Sequence, residues 1–315
     1  MLALPEVGFE ESVTVSNCSV AVAADWIEAS LLAGEDEITQ PQVGDILHEQ
    51  GFYPKLDNEE ADGLCADFLS AVWGELERRA ALLGSISCFS VEGMRVRRTL
   101  KWESAIPSAF LLLLSCAPYY PALRRLNRGQ YVDQGEMFEE FCCHSLNGDG
   151  WQAARTGWSS RSGAKKLAAT VAAVADALDE GHVNDAEVAL DKHENEAGCD
   201  LVCHRPYREQ WTGRPVVLLQ CASGDNFETK LATPSIDRWR DYIAFSTIPL
   251  RGFCTPQAFG RHDFRRHCGK VKGLLLDRYR LLEPFAHAGT HLPTPLANRL
   301  TSWLRPRLNA LPRFA

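Results

Sequence analysis

The sequence predicts a mixed α/β protein in which a central sheet is flanked by helices and preceded by a mostly helical region. Three observations carry that expectation. Two short apolar runs, LVC after Asp200 and VVLL before Gln220, flank a polar turn containing Gly and Pro, the pattern of adjacent strands in a hairpin. Apolar residues recur at helical spacing across the first half, most clearly from Asn58 to Leu83. The second half then reads helix, helix, strand, strand, helix, strand, strand.

The chain of 315 residues, 45% of them hydrophobic, is long enough for two ordinary domains with real cores. The longest apolar candidate, AFLLLLSCAPYY from Ala109, is too short to span a bilayer. MLALPEVGFEES turns acidic without a basic leader, so a cytoplasmic protein with no membrane partner is expected. Eleven scattered cysteines, an odd count, read as reduced buried thiols. The formal charge of -8 hides a gradient. Residues 1 to 91 carry seventeen acids against Lys55, Arg78 and Arg79, whereas from Arg251 onward twelve bases face Asp263, Asp277 and Glu283. Any nucleic-acid contact is therefore expected in the C-terminal half.

Short helices and loops are expected before residue 60. Leu64, Phe68, Leu69, Val72, Trp73, Leu76 and Leu83 make one stripe of a helix beginning near Asn58. ISCFSVEGMRVRRTLKWES reads as one or two half-buried strands, with Arg95, Arg97, Arg98 and Lys101 as a solvated face beside acidic neighbours. Residues 105 to 118 form an apolar helix stopped by Pro118 and Pro121. ALRRLNRGQYVDQGE is polar and punctuated by Gly, which places the domain boundary near residue 128. The acidic domain 1–128 is assigned to partner docking or regulation, and 129–315 to the α/β domain.

GEMFEEFCCHSL is a short helix with Met137, Phe138, Phe141, Cys142 and Leu146 on one face, so that Glu136, Glu139 or Glu140 can point toward its packing partner. After a Gly, Trp and Ser-rich loop, AKKLAATVAAVADALDEG is an Ala-rich helix ending at Gly181. SIDRWRDYIAFS is a helix capped by Ser235. IPLRGFCT and GLLLDRY are short strands joined by a basic loop holding Arg261, Arg265, Arg266, Lys270 and Lys272, interleaved with Phe259, Phe264 and His262, a candidate nucleic-acid contact. LANRLTSWLRPRL is a short helix broken by Pro306.

An acid opening one strand, an amide closing the next and a lysine ten positions later suit a divalent cation beside a phosphate. The succession GEMFEEFC, GCDLV, VVLLQCASG and Lys230 resembles the PD-(D/E)xK restriction-endonuclease-like nuclease superfamily over residues 135 to 280. The resemblance implies a restriction-endonuclease-like core in which Glu139, Asp200, Gln220 and Lys230 are catalytic. It also implies Mg2+ or Mn2+ held by Asp200, Gln220 and Glu139, with the Cys221 carbonyl a further oxygen donor. A Mg2+-dependent DNA endonuclease, acting as effector of a bacterial antiviral defence system, is what it suggests, with homo-oligomers to cut both strands. Gln220 replaces the common acid, Ala222 stands where the lysine is usual, and Glu194 and Glu196 are possible compensating carboxylates. Those departures keep open a catalytically inactive subunit of the same fold that binds a partner protein or nucleic acid.

Other chemistry has weaker support. GxxxxGK and GxGxxG are absent. Cys199, Cys203 and His204, and Cys254, His262, His267 and Cys268, lack tight zinc spacing and read as buried thiols and solvent-facing histidines. Cys142, Cys143 and Cys221 read as core residues rather than nucleophiles, since no base motif accompanies them.

Overall fold

The structure, a computed structural model, describes residues 1–6, 9, 20–52, 58–156, 167–183, 198–287 and 290–314. The chain divides into two compact units, Met1–Tyr131 with Gln257–Gly260 and Leu292–Ala315, and Val132–Pro256 with Arg261–His291.

The first unit holds helices α1 (Val20–Leu32), α2 (Gln40–Glu49), α3 (Asn58–Leu83), α4 (Ile106–Cys116) and α5 (Pro121–Asn127). Strands β1 (Glu37–Thr39), β2 (Phe89–Glu92) and β3 (Arg95–Arg98) form a small antiparallel sheet in the order β1-β3-β2. The stripe read from Asn58 to Leu83 is α3, and its Phe68, Val72 and Leu76 are buried. Thr39 and Gln42 form a capping box at the start of α2, satisfying two otherwise orphaned N–H groups. Arg97 pairs with Glu37 at 2.5 Å and Arg98 with Asp36, so this basic cluster meets acidic neighbours as expected.

The last helix, α11 (Thr294–Ala310), packs in this first unit rather than with the α/β half, and it runs through Pro306 instead of breaking there. Buried Leu296, Leu300, Trp303, Leu304 and Leu308 make a stripe whose burial outweighs the missing proline N–H. The segment around residues 121–135, read as polar and irregular, is α5 and the start of the next helix. Pro121 fits the first turn of α5, where its N–H is not needed. Among the described residues no single helix is long and apolar enough to cross a membrane.

The second unit is a mixed α/β sandwich. Its five-stranded sheet has the order β10-β9-β7-β6-β4, with β4 (Gln152–Arg155), β6 (Leu201–His204) and β7 (Val216–Cys221) antiparallel. From β7 onward the ladder is parallel, through β9 (Leu250–Cys254) to β10 (Leu274–Leu276). The hairpin read from the two apolar runs is β6 and β7, and every residue of β7 is buried, as suits a central strand. Strand β4 falls in the stretch read as a loop, because QAAR has no β-branched or aromatic residue and sits at the sheet edge. A two-stranded ribbon pairs β5 (Gly181–His182) with β8 (Ile243–Ala244).

One face of the sheet is covered by α7 (Leu167–Leu178) and α8 (Ile236–Tyr242): Val171, Val174, Leu178, Trp239 and Tyr242 pack with Val202 and Leu218. Helix α6 (Tyr131–Gly148) serves the other face, where its Cys143 Sγ reaches the Ala153 carbonyl at 3.3 Å. The basic segment read as a loop is a helix, α9 (Arg261–Val271). Its first eight residues, RHDFRRHC, contain no Gly or Pro, the helix continues through Gly269, and buried His267 and Val271 anchor one side. Short α10 (Arg278–Leu282) follows β10 and is capped by Asp277, which accepts from the Arg280 N–H at 3.2 Å.

Candidate active site

The site grows from the way β6 begins. Gly198, at φ +70°, turns the chain into β6 in a conformation that L side chains rarely adopt. Asp200 then donates its backbone N–H to the Leu219 carbonyl at 2.8 Å and accepts from the Thr156 N–H at 2.9 Å, so it is fixed between β7 and the end of β4. The antiparallel register pairs Leu201 with Leu219, which sets Asp200 beside Gln220. The Asp200 Oδ2 accepts from the Gln220 side-chain amide and from the Cys221 backbone N–H, the latter at 2.6 Å. A buried carboxylate is tolerated because N–H groups converge on it.

Thr233 lies at the other end of Gln220. The Thr233 hydroxyl lies 3.4 Å from Gln220 Oε1 and 2.6 Å from the carbonyl of Lys230, to which it donates. Thr233 therefore contacts both the backbone carbonyl of Lys230 and the Gln220 side chain. Lys230 itself closes a short 3-10 turn, Phe227–Lys230. It is exposed, and its ammonium has no ion-pair partner among the described residues.

Glu139 is buried on α6 and meets Arg155 of β4, whose Nε and Nη2 both stand 3.5 Å from Glu139 Oε2. Glu136 lies 3.7 Å from the same guanidinium. The hydrogen bonds that join Asp200 to Gln220 do not include Glu139. Along β7, Gln220 follows Leu218 toward the α7 and α8 side, and the neighbouring Cys221 turns toward α6. The structure thus brings together Asp200 and Gln220, with the backbone of Lys230, rather than its ammonium, on the Thr233 hydroxyl. Glu139 it gives to Arg155. Glu194 and Glu196 lie outside the described residues.

The predicted nucleic-acid contacts border this site within the same unit. Lys270 of α9 pairs with Glu228 at 2.8 Å, two residues before Lys230, and Phe227 packs edge-on against the His267 ring at 5.6 Å. The Lys270 ammonium holds the Glu228 carboxyl below its ordinary range. Arg266 pairs with Asp263 at 3.2 Å, and Arg261, Arg265 and Lys272 are exposed without an ion-pair partner among the described residues. Lys272 stands just past the helix end at φ +52°.

The histidines expected at the surface are divided. His262 is exposed, whereas His204 and His267 are buried. His204 lies 3.1 Å from the Arg214 guanidinium; burial first, and then that positive charge, lowers its pKa, so it is held neutral. Burial also lowers His267. Among the described residues neither joins the thiols in a metal-ligand group. Burial pushes the Cys199 thiol far above its ordinary value, as it does Cys142 and Cys221. None of them is an activated nucleophile.

Thr233 and Arg155 are the two site residues that sequence reading missed. Thr233 lies thirteen positions beyond Gln220. Arg155 lies on the unread edge strand. Neither carries a local motif, and a long-range pairing is the only signal that singles them out.

No family model and no curated protein matches the chain. Among solved structures it is similar to restriction endonuclease FokI bound to DNA, with 12% identity and a TM-score of 0.22, covering 89% of this chain and 47% of that one. The chain thus spans about half the length of that protein.

Proposed function

We propose that the second unit is a metal-dependent nuclease that hydrolyses DNA phosphodiester bonds, with Mg2+ or Mn2+ as cofactor, and that it serves in the cytoplasm as effector of an antiviral defence system. The carrying observation is the pairing of the buried Asp200 carboxylate with Gln220, with the turn that carries Lys230 lying close by through Thr233. The donor set suits a hard cation, which takes carboxylate, amide and carbonyl oxygens and keeps several waters.

The Gln220 amide is the adjustable part of that set. With no cation, its Nε2 faces Asp200, where an N–H neutralises the carboxylate best. Turned over, the same amide offers Oε1 beside Asp200 Oδ2 and gives its N–H to the Thr233 hydroxyl, whose own proton already goes to the Lys230 carbonyl. Asp200 and Gln220 would then hold the cation, with Glu139 joining if it leaves Arg155. A bound divalent cation supplies a more acidic water and stabilises charge on the phosphate oxygens. Lys230 would orient that water or stabilise the charge that develops on the phosphoryl group. The exposed bases of α9, beside the turn that carries Lys230, fit a polyanionic substrate. The acidic first unit would dock a partner protein or hold the nuclease inactive, and a homo-oligomer would supply two sites for two strands.

The test is plasmid cleavage by the full chain with Mg2+ or Mn2+. Asp200→Ala and Lys230→Ala are expected to lose activity by about two orders of magnitude or more, with unchanged circular dichroism. Full activity in Asp200→Ala sinks the reading. A second reading, an inactive nuclease-fold subunit that binds a partner protein or nucleic acid, is favoured by the closed state of the site, in which Gln220 occupies Asp200 and Arg155 occupies Glu139. Absence of cleavage with either metal, alone or with the products of neighbouring genes, selects it.

A further inference from the structure

Three cysteines far apart in sequence meet at one point of the second unit. Cys142 is on α6, Cys221 ends β7 and Cys254 ends β9, and their sulfur atoms all lie within 4.8 Å of one another. The convergence follows from the elements. Cys221 and Cys254 are direct partners in the parallel ladder, so their side chains leave the sheet on the same side. Cys142 is among the buried residues of α6, one turn from Phe138 and from Leu146.

All three thiols are unbridged, and Cys142 and Cys254 are fully buried. Small apolar side chains would fill this layer without bringing three sulfurs to a point. The other buried thiols, Cys65, Cys88 and Cys116 in the first unit and Cys199 and Cys203 in the second, are outside the group. A tetrahedral zinc with bonds of about 2.3 Å to sulfur sets its sulfurs about 3.8 Å apart. A group within 4.8 Å reaches that separation by small side-chain rotations.

We propose that Cys142, Cys221 and Cys254 form a three-thiolate site for Zn2+. Thiolates select soft and borderline cations over the hard Mg2+, so this site and the oxygen site at Asp200 take different metals. Zinc suits the burial better than a monovalent thiophilic ion: two positive charges against three thiolates leave a single net negative charge, and a monovalent ion leaves two. Three protein ligands leave one tetrahedral position for a water. The ion would clamp α6 onto β7 and β9. Cys142 is three residues beyond Glu139, and Cys221 follows Gln220 and gives its N–H to Asp200. The assignment stands on the thiols alone and does not require the nuclease reading.

The experiment is elemental analysis of the full chain purified without chelator, joined to cobalt substitution. Zinc at a single equivalent per chain, and a thiolate-to-cobalt charge-transfer band in the near ultraviolet, are expected. Cys142→Ser, Cys221→Ser and Cys254→Ser should each lose the metal and the band, while Cys65→Ser keeps both. If a serine variant does not fold, wild-type protein stripped by chelator, and shown by circular dichroism to remain folded, is titrated with Zn2+ against a chromophoric competitor. Stoichiometric uptake supports the site. Folded wild-type protein that neither retains nor regains zinc overturns it, as does zinc retained in a folded Cys254→Ser variant or iron with sulfide in its place. DNA cleavage plays no part in the readout, so failure here leaves the nuclease reading untouched.

Discussion

Arg79 has no exposed surface, and three carboxylates surround it: Asp25 at 2.7 Å, Glu28 at 2.6 Å and Glu75 at 2.8 Å. It joins α1 to α3, and the Ser115 hydroxyl on α4 donates to the same Asp25 at 2.6 Å. Removing one partner of such a group leaves the others buried and uncompensated. Arg79→Leu is therefore expected to destabilise the first unit by about 3 to 5 kcal/mol, read as a lower urea midpoint. Burial pushes Glu75 up, but the hydrogen bond from Arg78 and the charge of Arg79 prevail and hold it below its ordinary 4.5. A depressed carboxyl stabilises the fold above its unfolded value and loses that contribution as pH falls through the folded one. Acid unfolding of wild type should therefore begin below about pH 4.5, and a Glu75→Gln variant, already weakened at neutral pH, should show a shallower dependence there. At the proposed metal site, Gln220→Glu sets two carboxylates side by side. The cation-free protein should melt at a lower temperature than wild type, and added Mg2+ should raise the melting temperature of the variant by more than that of wild type.

At the scale of elements, two glycines decide whether the parallel strands close. A Cβ at Gly252 on β9 would stand 2.7 Å from Leu219 Cγ and 2.8 Å from Val217 Cγ1, both of the adjacent strand β7. At Gly273, just before β10, it would stand 2.0 Å from the carbonyl oxygen of Arg251, a backbone atom that cannot swing away. Gly252→Ala is expected to cost about 1 to 3 kcal/mol, and Gly273→Ala more, in denaturant titrations. Helix α11 makes the opposite case. Pro306 lacks an N–H for the carbonyl one turn back and crowds it, so Pro306→Ala should raise stability by up to about 3 kcal/mol while leaving the buried Arg307 in place. On α9, Arg265→Ala with Arg266→Ala should weaken DNA binding and reduce the slope of log affinity against log salt by about 1 to 2. A fluorescence-anisotropy titration at several salt concentrations reads that slope, and an unchanged slope removes α9 from the interface.

For the whole molecule, buried neutral histidines set the response to mild acid. His204 and His267, both lowered below 6.5, disfavour protonation in the folded chain. Their contribution is complete above the unfolded value and is lost as pH falls through the folded values. Thermal melts between about pH 7.5 and pH 5 should show falling stability, less in a His204→Gln variant. Most elements of this fold were legible in the residues. The stripe of α3, the strand pair β6 and β7, the Ser235 cap of α8 and the strands β9 and β10 all rest on local periodicity or capping. Asp200 and Gln220 were legible as a pair for the same reason, since a hairpin brings the start of one strand to the end of the next.

The sequence by itself determined the α/β class and the strand pair β6 and β7 with several of the elements around it, because period and turn chemistry act within a few residues. It did not determine that α9 is a helix or that α11 continues through Pro306, since burial against distant residues outweighs local preference there. Nor did it show the Arg79 cluster, the Thr233 link between Gln220 and Lys230, the capture of Glu139 by Arg155, or the meeting of Cys142, Cys221 and Cys254. Each joins residues from different elements. Only the packed tertiary structure decides such contacts, because side chains far apart in sequence become neighbours through strand register and helix packing, which no local pattern encodes.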